Sequence, residues 1–258
     1  MLIANSILVL LIGLAVGSFL NVVIFRMEDL KSLLYGRSHC TRCNKTLAWF
    51  DLIPLVSFAL LRGRCRYCGK EISWQYPLVE TGTGLLFLLI FLTVGLSWAM
   101  FFYLAVICLL IVISVYDIKT QTVPETLVWI ALILSALGGW YFGGFGIARM
   151  LWGGLIAGGF LALLVLVSKE KWMGSGDIKI GLILGFLAGF PNAIFALFSA
   201  FVLGSIIGII YILMSSKKID DTTLKHSLPF APFLSAGVVI GIVYGKVIVD
   251  WYLSLINF

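Results

Sequence analysis

Apolar and polar stretches alternate along the chain on a scale set by a lipid bilayer. A hydrocarbon core about 30 Å thick needs roughly 20 apolar residues per helix, with every backbone group satisfied inside that helix. Residues 2–25 meet this length without a charge. Lacking a basic start and a small-residue cleavage site, they read as a retained helix rather than a removed signal peptide. Further apolar runs cover 78–95, 98–116, 126–142, 150–167, 180–190, 193–214 and 234–249, giving eight candidate spans. The run 180–190 has only 11 residues before Pro191-Asn192. It reads as a short helix recruiting polar neighbours or as a re-entrant segment. The expected fold is an all-α polytopic membrane protein of about eight helices. Its expected divisions are a first helix (1–25), a polar module (26–77) and a seven-helix membrane domain (78–258).

Composition excludes the other broad classes. Of 258 residues, 61% are hydrophobic and 12% charged, against about 25% charged in ordinary soluble domains. Such a chain cannot stay solvated as a disordered one. One soluble core of this size could not hide so much apolar surface.

The placement of charge sets the orientation. Nine of the 18 basic residues lie between Arg26 and Lys70, beside only Glu28, Asp29 and Asp51. If 26–77 is cytoplasmic, so are 117–125, 168–179 and 215–227, and these four segments hold 16 of the 18 Lys and Arg. Only Arg149 and Lys246 fall on the other side. The positive-inside rule favours this arrangement, with both termini outside the cytoplasm. The same basic surplus suits contact with anionic lipid headgroups. A module held against a membrane has little room to track a duplex, so no nucleic-acid partner is expected.

Cys40-Thr-Arg-Cys43 and Cys65-Arg-Tyr-Cys68 form two C-x-x-C pairs in that basic module. Each pair supplies two thiolates from a tight knuckle, and a structural Zn²⁺ takes four in a tetrahedron. Arg42, Arg64, Arg66 and Lys70 are expected to favour the thiolate form. Two disulfides or a redox pair are the alternatives, disfavoured by a reducing cytoplasm and by the presence of two motifs. Cys108, inside an apolar run, reads as a packing residue. Trp49, Phe50, Trp74 and Tyr76 read as interfacial or knuckle-packing aromatics.

Twelve acids are few enough to weigh singly. Glu28, Asp29, Asp220, Asp221 and Asp250 read as solvated, and Asp51, Glu71, Glu80, Glu125 and Glu170 as lying in polar stretches or at span edges. Asp117 and Asp177 remain, each at a membrane boundary on the cytoplasmic side. Asp177 follows Gly174-Ser175-Gly176, and a plain helix N-cap is its structural alternative. Asp117 closes an apolar run, where the helix macrodipole disfavours an anion. An acid set against its local field at membrane depth is a functional candidate. Two carboxylates sharing a water could run general acid–base hydrolysis, one ionised and one protonated. Glycines before Asp177 would let a substrate backbone approach closely. No H-E-x-x-H occurs, His39 and His226 lie far apart, and Ser175 lacks a G-x-S-x-G elbow. A transporter with paired acids fits the spans without explaining four cysteines, and a noncatalytic zinc scaffold is the other alternative.

Several ordered motifs then fall into one pattern. They are Gly17-Ser-Phe-Leu-Asn21-Val-Val-Ile-Phe-Arg26, the two cysteine pairs and Asp51-Leu-Ile-Pro54. Next come Leu61-Arg-Gly-Arg-Cys65-Arg-Tyr-Cys68-Gly and Ile72-Ser-Trp-Gln-Tyr-Pro77-Leu-Val-Glu80. Asp117 with Pro124, Gly174–Asp177 with Ile178-Lys179, and Leu228-Pro-Phe-Ala-Pro232 complete the order. Together they resemble the type IV prepilin peptidases, bifunctional leader peptidase/N-methyltransferases of bacterial inner membranes. The resemblance implies a G-x-G-D aspartic peptidase with Asp117 and Asp177 as the catalytic pair. It implies type IV prepilin or pseudopilin substrates, cut on the cytoplasmic side after a glycine. It also implies methylation of the new N-terminus from S-adenosylmethionine. Presenilin-like enzymes share Tyr116-Asp117 and the glycine-aspartate motif but lack the tetracysteine module. Leu52 and Glu125 stand where many relatives carry Asn. No G-x-G-x-x-G follows a strand in the polar module. Asp51, Glu71, Glu80, Trp49 and Trp74 are the candidates to meet a cationic sulfonium.

Overall fold

A computed structural model describes residues 2–27, 36, 38–215 and 229–256. Glu28, Asp29, Asp220, Asp221 and His226 lie outside the described residues. The described residues fold into nine α-helices and one 3-10 turn, with two isolated β-bridges. The helices are α1 (Leu2–Phe25), α2 (Val56–Leu60), α3 (Gln75–Val94), α4 (Trp98–Thr120), α5 (Glu125–Phe142), α6 (Gly146–Ser168), α7 (Ser175–Ala188), α8 (Asn192–Ser215) and α9 (Ala231–Ile256). Trp49–Leu52 forms the 3-10 turn. Seven of these helices are long and apolar enough to cross a membrane.

The chain divides into two units, Met1–Leu104 and Ala105–Phe258, with α4 running across the division. In the first unit α1 packs along α3. Small residues at a four-residue interval make that approach possible. A Cβ on Gly13 would stand 2.8 Å from the Gly84 Cα, and one on Gly17 would stand 2.8 Å from the Glu80 Cα. The opposite face of α1 leaves Leu8, Leu11 and Phe19 exposed, as a lipid-facing surface requires. Helix α3, which the hydrophobic pattern groups with the later spans, thus packs on α1 in the first unit.

The second unit is built around its shortest membrane helix. At 14 residues, α7 is about 21 Å long by the helical rise, too short to cross a bilayer alone. It packs against α5, α6, α8 and α9. Ile180, Ile183 and Leu184 are fully buried, so protein rather than lipid surrounds it. The run 180–190 is therefore a short core helix that starts earlier, at Ser175, and ends at Ala188. Gly153 and Gly185 meet backbone to backbone, since a Cβ on Gly185 would stand 2.3 Å from the Gly153 carbonyl oxygen. Gly237 and Gly241 likewise let α9 lie against Ala196 and Ala200 on α8.

Candidate active site and metal centre

Both singled-out aspartates belong to the second unit and both are buried. Asp117 sits in the last turn of α4 and Asp177 in the first turn of α7. They are 5% and 6% exposed, and the charge of Asp117 acts on Asp177. Asp117 Oδ2 accepts the backbone N–H of Ala231, the first residue of α9, at 3.3 Å. That N-terminal donor offsets the unfavourable dipole at the end of α4. Asp177 Oδ2 accepts the N–H of Gly174 at 3.2 Å. It is the third residue of α7 rather than its N-cap, which is Gly174, and it closes the first turn from there.

The glycines before Asp177 differ in what they do. Gly174 is exposed, with nothing nearer to its would-be Cβ than the Gly176 nitrogen at 4.0 Å, so open space lies beside it. Gly176 instead packs on Val123, whose Cβ would stand 2.9 Å from an added Cβ. Only Gly174 fits the expectation of substrate approach. Two residues past Asp177, Lys179 bonds to Glu125 at the start of α5 and lies 4.9 Å over the Trp129 ring. This tie fastens the second turn of α7 to the start of α5. Both residues were noted in the sequence, Lys179 within its motif and Glu125 as a departure from Asn, but nothing there paired them.

The four cysteines converge in the first unit. Their Sγ atoms lie within 4.8 Å of one another, against about 3.8 Å between sulfurs of an ideal tetrahedron with 2.3 Å zinc–sulfur bonds. Two matching knuckles hold them. Cys40 N–H donates to Lys45 O at 3.0 Å and Asn44 N–H to Cys40 O at 2.9 Å. In the second knuckle, Cys65 N–H donates to Lys70 O at 2.8 Å and Gly69 N–H to Cys65 O at 2.9 Å. Asn44 and Gly69 turn each knuckle with φ of 53° and 68°. No pair of these cysteines is a disulfide, and Cys108 lies apart on α4. Four thiol donors at this spacing suit a soft tetrahedral metal ion. Burial pushes the Cys40 thiol up, but the N–H groups of Arg42 and Cys43 and its fellow thiols outweigh it and bring it to about 6. The expected help from basic side chains is not what does this.

Asp51 lies in the polar module and is held there by three donors. Its side chain is 3% exposed and accepts Arg66 Nε at 2.8 Å, Tyr67 OH at 3.2 Å and Ala48 N–H at 3.3 Å. Burial raises its pKa, and these donors more than reverse that, leaving the carboxyl below the usual aspartate range. Arg66 also stacks 5.0 Å over Phe50, while Trp74 packs edge-on against Phe58. Phe50 thus packs on the second knuckle, whereas Trp74 and Trp49 are 71% and 78% exposed.

Glu80 departs from its reading as a span-edge acid, being buried on α3 against α1. It accepts Leu55 N–H at 2.9 Å and a bond from Ser18. Beside it, Asn21 is fully buried. Asn21 Nδ2 donates to Gly17 O and Tyr76 O, each at 3.3 Å, and Gln75 Nε2 donates to Asn21 Oδ1 at 3.1 Å. Pattern reading did not single out Asn21 beyond its motif, although an amide inside an apolar span was the signal.

Comparisons with known proteins divide along the same lines. Residues 11–94 match the bacterial peptidase A24 N-terminal domain, and 104–209 match the type IV leader peptidase family. A prepilin leader peptidase/N-methyltransferase of Bacillus subtilis (strain 168) is 31% identical over 251 residues, covering 94% of this chain and 96% of its own. The chain belongs to the type IV leader peptidase family. Another member bearing that name, from Aeromonas salmonicida (strain A449), is 30% identical, with 96% of this chain and 94% of its own covered. The like-named protein of Legionella pneumophila is 30% identical, with 95% and 93% covered. No solved structure matches. As a leader peptidase, the chain is a multi-pass membrane enzyme. The stretch matching the peptidase family contains Asp117 and Asp177, and the stretch matching the N-terminal domain contains the four cysteines.

Proposed function

We propose that this chain cleaves the leader of type IV prepilins or pseudopilins with Asp117 and Asp177, at the cytoplasmic face of a bacterial inner membrane. One observation carries the assignment: two carboxylates from α4 and α7 are buried together, with the charge of one acting on the other. Like charges so placed favour a state with one shared proton. The ionised carboxylate takes a proton from water as the water oxygen attacks the scissile carbonyl. The protonated partner donates a hydrogen bond to that carbonyl oxygen, and a proton is then returned to the departing amine. Open space beside Gly174 gives the extended leader a path along the first turn of α7. Cytoplasmic cleavage follows from the basic residues gathered on one side, because both aspartates fall on that side.

The metal reading is structural zinc on Cys40, Cys43, Cys65 and Cys68. Among the described residues 38–76 Cys65 is the one buried hydrophobic side chain, so the ion would hold both knuckles together where no core does. The relatives' names support a second activity, methylation of the new N-terminus, for which S-adenosylmethionine would supply the electrophilic methyl group. In the first unit a cavity of about 350 Å³ offers carboxylates and aromatic rings of the kind such a cofactor needs. Purified protein in detergent, given a prepilin, should release a product whose N-terminus follows the leader glycine. Asp177→Asn protein should cut nothing, yet still label pre-cleaved substrate from labelled S-adenosylmethionine. Cleavage at the wild-type rate by either aspartate variant would overturn the catalytic assignment.

A further inference from the structure

Asp117 and Asp177 stand on different helices, and like charges held close work to push those helices apart. A link between the two helix ends runs through the short connection from α4 to α5. Gln121 N–H donates to the backbone carbonyl of Asp117 at 2.8 Å, so the connection is tied to the aspartate's own residue. Across it the Thr120 and Thr122 hydroxyls bond to each other at 2.8 Å. Val123 then packs on Gly176, one residue before Asp177. Lys179, two residues after Asp177, donates to Glu125, the first residue of α5. The connection thus touches α7 on either side of Asp177 in sequence.

Lys179 is placed against its local field. It lies in the second turn of α7, towards the positive end of the helix dipole, where a cation is disfavoured. Glu125 stands at the same end of α5, where an acid is favoured. The Lys179 side chain is 22% exposed, and its ammonium also lies over Trp129, one turn along α5 from Glu125. An acid and a ring of one helix therefore hold a single cation of another. The Glu125 side chain is 64% exposed, so solvent screens the pair and its share of stability is small.

We propose that Glu125 is a positioning residue of the peptidase, acting through Lys179 to fix the spacing of Asp177 from Asp117. The proposal rests on these two aspartates being the catalytic pair and adds what spaces them. The two contacts work in opposite senses. Packing of Val123 on Gly176 limits how near the first turn of α7 can come, because a side chain at 176 would already clash. The Glu125–Lys179 tie resists separation of the same turns. A water shared by two carboxylates must meet both at once, and a displacement of about 1 Å can cost about 100-fold in rate. A contact worth little in stability is therefore worth much in rate.

Steady-state cleavage of a purified prepilin by full-length protein in detergent, with melting measured alongside, tests this. Glu125→Lys and Lys179→Glu each set like charges face to face. Each should lower kcat by about 10- to 100-fold, with KM and melting near wild type. The doubly substituted protein restores opposite charges and should recover most of the lost kcat, as a tie between the two side chains requires. Lys179→Arg, which keeps the cation over the ring, should stay near wild type where Lys179→Met falls. Lys171→Gln removes an exposed lysine just ahead of α7 and should change nothing. Wild-type kcat in both charge reversals, no recovery in the double variant, or equal rates for Lys179→Arg and Lys179→Met would overturn the proposal. A raised KM at unchanged kcat would overturn it by making Lys179 a substrate contact, and an equal loss in Lys171→Gln would reduce it to general charge steering. Wild-type cleavage by Asp117→Asn or Asp177→Asn protein would instead overturn the catalytic pair itself.

Discussion

The backbone N–H of Ala231 reaches the Asp117 carboxylate at 3.3 Å, across 114 positions of sequence. Asp117 lies at the unfavourable end of its own helix, and the favourable end of α9 supplies what that helix cannot. Next to this contact Ser114 and Ser235 bond at 2.9 Å, one turn further along each helix. The two helices therefore fix the aspartate through a pair of polar contacts.

Asp117→Asn and Asp177→Asn should each lower leader cleavage by at least about 100-fold, the lower bound for losing a positioned acid or base. An amide cannot exchange the proton. Both proteins should insert and elute as wild type. Cleavage followed by gel shift and N-terminal sequencing checks this.

Metal analysis of protein purified without chelators should find about one zinc per chain, as four thiolates require. Cys65→Ser should lower zinc occupancy and melting temperature together, since Cys65 is the most buried ligand. Stable disulfides among these four cysteines in freshly isolated, alkylated protein would contradict the metal reading.

Asp51→Asn should destabilise the knuckle module at pH 7 by about 1 kcal/mol; Arg66 is 46% exposed, and solvent screens that pair. The Asp51 carboxyl titrates below its unfolded value. Its contribution is therefore present above the unfolded pKa and lost as pH falls through the folded one. The stability gap between wild type and Asp51→Asn should close below about pH 4. Paired thermal melts across pH measure this gap, and because zinc loss affects both proteins alike, it drops out of the difference.

Gly185→Leu should disrupt the second unit, because its Cβ would stand 2.3 Å from the Gly153 carbonyl oxygen on α6. Overpacking at helix contacts costs about 1–3 kcal/mol or more. Gly159→Leu, with nothing within 4 Å, should be tolerated. Size-exclusion profiles and melting of the two proteins side by side give the comparison.

The amino-acid sequence alone determined the membrane class, the long spans, the paired knuckles and the two aspartates worth testing. Each is local: a span is a run of apolar residues, a knuckle is a C-x-x-C, and a misplaced acid shows against its neighbours. Tertiary structure alone decided three further matters. It made α7 a buried core helix, because four neighbours rather than lipid satisfy its surface. It seated the N-terminus of α9 on Asp117. It also turned Asn21 and Glu80 from motif members into the floor of a cavity. All three depend on which helices pack together, and a helix's composition sets its solvent without naming its partners. Glycines spaced to admit a close neighbour were legible in the chain; that Gly153 would meet Gly185, and Gly17 would meet Glu80, was fixed only when backbones approached within van der Waals contact.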